Sequence, residues 1–183
     1  MYNPPRQIIK NGFFSDFYHT RPSLGVVMQS PGNNQVAIEV FHNLSQAQPL
    51  KEEVCVYVEE WDKPYLHPPG PLLHTMDLVV HRGATVCTCI EGLIDTVRLG
   101  LSKQIMWYIY NPHDFSLYDQ QDLIDLMGRD DIIKVARMPD QRDLIRKMFE
   151  GAKIEEATME AFNVELALKL LKQHSNTKRK LPV

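Results

Sequence analysis

The chain has 183 residues, 44% of them hydrophobic and 23% charged, which excludes wholesale disorder and leaves length for a sizeable core. A formal net charge of -3 excludes a global pull toward nucleic acid or an anionic membrane, so any such partner needs a local basic patch. Three cysteines, Cys55, Cys87 and Cys89, with the last two one residue apart, do not make a disulfide framework and favour a reducing compartment.

Residues 1–22 mix Pro, Asn, Gly and aromatics without a sustained period, and Pro4 and Pro5 oppose a helix start. They read as a partly mobile N-terminal arm that docks through Phe13, Phe14, Phe17 and Tyr18, either on its own domain or on a neighbouring copy. Residues 23–174 read as one domain, and residues 175–183 as a basic C-terminal tail. The N-terminus lacks a signal peptide's apolar run, and no stretch reaches the roughly 18–20 apolar residues of a membrane span. The expected location is therefore cytoplasmic, with peripheral contact to a membrane.

Within the domain, "LGVVMQ" predicts a strand closed by the turn signal "SPGNN". "QVAIEVFHN" alternates, with Val36, Ile38 and Val40 on one face, and predicts a second strand. "EEVCVYVEEW" predicts a third, and its acidic rim, Glu52, Glu53, Glu59, Glu60 and Asp62, offers a surface to a basic neighbour. The Pro-rich "DKPYLHPPGP" predicts a long loop or linker. A fourth strand is expected over Leu72–Arg82 and a fifth at "QIMWYIY".

Further along, Ser116 or Asp119 can cap a helix carrying Leu123, Ile124, Leu126 and Met127, with Gly128 as its stop. "DDIIKVARM" is ambiguous between helix and strand. Pro139 suits the first turn of a helix that Gly151 ends. Ile154, Ala157, Ala161, Val164, Leu168 and Leu171 step by threes and fours and predict a last amphipathic helix. Strands first and helices later predict an α+β fold, a mostly antiparallel sheet of about five strands covered by three to four helices.

The stretch "LLHTMDLVVHRGATVCTC" gathers His74, His81, Cys87 and Cys89. In a regular strand two histidines seven residues apart face opposite sides, so they do not share an ion. "TCIE" matches a capping box in which Thr88 and Glu91 bond reciprocally, and it assigns Cys89 to a helix's first turn. The positive end of that helix can lower a thiol's pKa, so Cys89 is a candidate reactive thiol, against the commoner state of a buried small hydrophobe. C-x-C is not the C-x-x-C spacing of zinc sites. His113 beside Asp114 reads as a turn leaving a strand. No G-x-S-x-G, Gly-rich phosphate loop or H-E-x-x-H is present, and no cofactor, metal site, catalytic residue or small-molecule substrate is assigned.

Lys172, Lys178, Arg179 and Lys180 form a basic end suited to anionic lipid heads or nucleic acid, unless they only keep the tail solvated. These features favour a non-enzymatic structural protein that self-associates through Pro4, Pro5, Phe13, Phe14, Phe17 and Tyr18. The alternatives are a monomeric regulatory or host-interaction module that binds one protein partner, and a small thiol or metal enzyme centred on Cys89.

"VVHRGATVCTCIEGLIDTV" followed by "QIMWYIY" resembles the middle of rhabdovirus-type matrix proteins, in which a strand runs through an arginine-containing turn into a helix with apolar residues at fourfold spacing, here Ile90 and Ile94. The resemblance implies a viral structural protein that self-associates and bridges a nucleocapsid to a membrane.

Overall fold

In a computed structural model, residues 23–32, 34–47, 53–81, 83–99 and 104–178 are described. The predicted arm contacts at Pro4, Pro5, Phe13, Phe14, Phe17 and Tyr18, and the basic residues Arg179 and Lys180, lie outside the described residues.

Among the described residues six strands form one sheet: β1 (Ser23–Met28), β2 (Glu53–Val58), β3 (Leu72–His74), β4 (Ala84–Cys87), β5 (Gln104–Ile109) and β6 (Ile132–Ala136). Their spatial order is β3-β2-β1-β4-β5-β6, and every neighbouring pair is parallel. This overturns the antiparallel α+β expectation: the protein is α/β. The residues account for the difference. Val54 through Val58 are buried without interruption, as are Ile132 through Ala136, because the sheet is covered on both faces.

Among the described residues five α-helices supply the cover: α1 (Gln35–Gln46), α2 (Ile90–Leu99), α3 (Gln120–Gly128), α4 (Pro139–Met148) and α5 (Val164–Lys178). On one face Val26 and Met28 pack with Ala37, Val40, Phe41 and Leu44 of α1 and with Val164, Ala167 and Leu171 of α5. On the other, Val27, Tyr57 and Trp107 pack with Leu93 of α2, Leu123 and Met127 of α3, and Ile145 of α4. Neighbouring residues Val26 and Val27 thus seed two separate cores, as strand alternation requires.

Several expected elements are corrected. "QVAIEVFHN" is helix α1, not a strand; Asn34 caps it by accepting the Ala37 N–H at 2.8 Å. The expected strand over 72–82 is a three-residue strand followed by a 3-10 helix, Thr75–Val80. The parity argument for His74 and His81 therefore has no strand to act on. His74 caps the 3-10 helix, accepting the Met76 N–H at 3.2 Å while its own N–H donates to Asp77. His81 is buried against Tyr57, whose hydroxyl lies 3.2 Å from Nδ1, and its Nε2 lies 3.1 Å from Ala84 O. A carbonyl only accepts, so the proton sits on Nε2 and Nδ1 accepts from Tyr57.

β4, at Ala84–Cys87, occupies residues expected to turn directly into a helix. "DDIIKVARM" resolves to strand β6. Asp119 caps α3, and Pro139 begins α4, as expected. The last helix begins only at Val164; Ile154 instead forms a parallel bridge to Lys134, and Ala157 and Ala161 lie in irregular chain.

Candidate functional site

The strand order reverses between β1 and β4. From β1 the chain leaves through α1 on one face, and from β4 through α2 on the other. Connections that diverge to opposite faces open a crevice at the carboxyl ends of the two strands. A cleft of about 230 Å³ lies there, lined by Met28–Ser30 and Asn34 after β1, Thr88–Ile90 after β4, and Tyr110, Asp114 and Tyr118 after β5.

The β1–α1 loop is held by a chain of short bonds. Ser30 Oγ donates to Asp62 Oδ2 at 2.7 Å and accepts the Gly32 N–H at 3.0 Å. Asn34 Nδ2 donates to Ser30 O at 2.9 Å while its Oδ1 caps α1. Gly32 is required by close approach: a Cβ there would stand 2.9 Å from Asp62 Cβ. The "SPGNN" signal was legible as a turn; that it also caps a helix and borders the cleft was not.

The opposite wall starts at Thr88. Its N–H and its hydroxyl both donate to Val27 O, at 2.8 and 3.2 Å. Glu91 Oε1 accepts from the Tyr118 hydroxyl at 2.6 Å. The expected Thr88–Glu91 capping box is therefore replaced: each partner is committed elsewhere, and both commitments tie the cleft's walls together. Cys89 precedes α2, and its carbonyl accepts the Leu93 N–H. Burial pushes its thiol well above the ordinary range, outweighing the Gly92 backbone contact that favours the thiolate. The expected lowering by the helix end is reversed. Burial also raises Cys55 and Cys87, each to about 12.

The floor is aromatic. Trp107 and Phe115 pack at 5.6 Å between ring centroids, and both border the cleft. Beyond it the Arg137 guanidinium lies 4.4 Å from the Tyr110 ring centroid and pairs with Glu39 at 3.3 Å. Glu39 Oε1 also accepts from Tyr108 at 2.8 Å and from the Phe162 N–H at 2.9 Å. Nothing in the local sequence joins residues 39, 108, 137 and 162; only the sheet order does.

Of the remaining expected sites, Asp114 borders this cleft. Asn111 Oδ1 accepts the backbone N–H of His113, and its Nδ2 donates to the Asp114 carboxylate. Glu59 accepts from Thr75 at 3.1 Å, and burial raises its pKa above the usual carboxylate range. Lys172 is exposed on α5 and Lys178 ends that helix. Among the described residues, no helix is long and apolar enough to cross a membrane, and no group of His, Cys, Asp and Glu is placed to hold a metal ion. In comparisons with known proteins, no family model, no curated protein and no solved structure matches the chain.

Proposed function

We propose that this chain binds a small ligand of the nucleotide class in the cleft between the carboxyl ends of β1 and β4. The observation that carries the reading is the position of that cleft at the reversal of the order β3-β2-β1-β4-β5-β6. Open parallel sheets of this order take nucleotides at that point, phosphate toward the helix that follows the first strand. The N-terminal turn of α1, beyond Asn34, presents backbone N–H groups without helical partners to such a phosphate. Asn34, Asn111 and Asp114 offer donors and acceptors to hydroxyls, and the aromatic floor suits a flat base. Among the described residues the lining holds no lysine or arginine, so in this reading backbone N–H groups carry the phosphate contact.

Calorimetry and thermal shift with nucleosides, nucleoside mono- and diphosphates and dinucleotides test this. At least one should bind, and Thr88→Trp, which fills the cleft, should abolish the binding while far-UV dichroism stays unchanged. Failure of the whole series, or binding indifferent to Thr88→Trp, rejects the proposal.

The self-associating matrix-type reading remains a proposal without an observation of its own. The continuous strand over 72–82 on which its resemblance leaned is not formed.

A further inference from the structure

Three large apolar side chains stand out in solvent on the chain that follows β2 and β3, with Trp61 and Met76 at one corner of the sheet. Trp61 is 59% exposed, Tyr65 66% and Met76 76%. The corner is built, not frayed. Glu60 N–H donates to Gln29 O at 2.8 Å, Asp62 takes Ser30, and Glu59 takes Thr75 from the 3-10 helix that carries Met76. These bonds hold the Trp61 segment beside that helix at the carboxyl ends of β2 and edge strand β3. Glu60 and Asp62 flank Trp61 with negative charge. An exposed apolar patch rimmed by charge marks a docking surface.

We infer that residues 1–22 of this chain dock there. The segment carries Phe13, Phe14, Phe17 and Tyr18, and its charges are Arg6, Lys10 and Arg21 against the single acid Asp16. It thus offers aromatic surface to the patch and opposite charge to its rim. It also reaches. The patch lies one strand length, ~20 Å, and two strand spacings, ~10 Å, from Ser23. Phe13 and Phe14 are ten and nine residues upstream of Ser23, an extended span of ~30 Å. An anionic lipid surface would meet the same carboxylates with like charge, which disfavours it.

The full chain tests this through its two tryptophans. Trp107 is 2% exposed and gives a shielded background, so added acrylamide reports on Trp61. Trp61 should be shielded in the full chain and quenched freely in the variant Phe13→Ser, Phe14→Ser, Phe17→Ser, Tyr18→Ser. Trp61→Ser with Tyr65→Ser should speed tryptic cleavage after Arg6 and Lys10 about tenfold, the change produced when an opening equilibrium shifts by one decade. Salt should weaken the shielding. Free quenching of Trp61 in the unaltered chain overturns the inference. So does shielding that grows with protein concentration in step with a rising mass, since the occupant is then a second copy.

Discussion

A Cβ on Gly92 would lie 2.3 Å from Val27 Cγ1 and 3.0 Å from Cys89 Sγ. The first turn of α2 therefore rests on β1 with no room for a side chain, at the point where the two strands bordering the cleft separate. Gly92→Ala should move the helix off the strand and destabilise the fold by ~1–3 kcal/mol, the usual cost of overpacking. Chemical denaturation measures it. A variant as stable as the parent would show that the contact relaxes freely.

The thiols of Cys55, Cys87 and Cys89 are all raised by burial. At neutral pH the folded protein should react slowly with a thiol reagent, and the unfolded chain quickly, since the thiolate is the nucleophile. Disulfide-exchange labelling followed in time, with and without denaturant, checks this. Rapid reaction of one equivalent in the folded protein, mapped to Cys89, would restore the thiol-enzyme reading.

Much of the strand content was legible, because "LGVVMQ", "VCVYV" and "QIMWYI" are dense in branched and aromatic residues and end at turn signals. The sheet's direction was not read correctly, and one segment decided it. In "QVAIEVFHN" Val36, Ile38 and Val40 alternate as in a strand, yet Ala37, Val40, Phe41 and Leu44 are the residues buried, at helical spacing. Asn34 as a cap was the cue that arbitrates. Once that helix is missed, the β-α-β rhythm that signals a parallel sheet disappears. The uninterrupted apolar run of β2 was a second cue, since a one-sided sheet alternates. The cleft was less legible still: Ser30, Thr88 and Tyr118 are distant in sequence, and only the strand order brings them together.

Glu59 shows how burial sets a pH response. Its pKa is raised, first by desolvation, with Asp95 and Glu91 adding to it while Thr75 and His74 oppose. The folded state therefore binds a proton more tightly than the unfolded chain, and stability falls as pH rises from the ordinary value of 4.5 through the folded value. Glu59→Gln keeps an oxygen for Thr75 and removes the charge. It should be more stable than the parent at neutral pH and flatten the stability–pH curve above 4.5. Melting temperatures across acid to neutral pH read this out; parallel curves for the two proteins would refute it.

Lys134 is 1% exposed on β6, and burial lowers its pKa. Its ammonium donates to Ile132 O at 3.3 Å and to the carbonyl of Arg129, which caps the C-terminus of α3. A cation at that helix end is favourable, so the residue joins β6 to the helix before it. Lys134→Ala should cost ~2–5 kcal/mol through the lost side-chain volume and donors. In the parent, stability should rise with pH toward 10.5, because the unfolded lysine holds its proton more tightly than the folded one. Lys134→Met should lose that slope while keeping most of the packing. A Met variant with the parent's alkaline slope would place its origin elsewhere.

Glu39 gathers the carboxyl end of the sheet around one carboxylate. It accepts from Tyr108 on β5, from the Phe162 N–H ahead of α5, and from Arg137 just past β6. Arg137 in turn covers Tyr110, which lines the cleft. Glu39→Ala leaves the Tyr108 hydroxyl with its second partner, Met159 O at 2.9 Å, and removes the acceptor from the other two. Loss of charge-assisted bonds of this burial should cost ~2–4 kcal/mol. Because the network acts as a unit, Glu39→Ala combined with Tyr108→Phe should cost less than the two changes added, by at least ~0.5 kcal/mol. The same network positions Tyr110, so, on the proposed nucleotide-class binding, Glu39→Ala should also weaken that binding at a temperature where the variant remains folded. Additive stabilities in the double-mutant cycle, together with unchanged affinity, would mean that Glu39 bonds its partners singly and leaves the cleft alone.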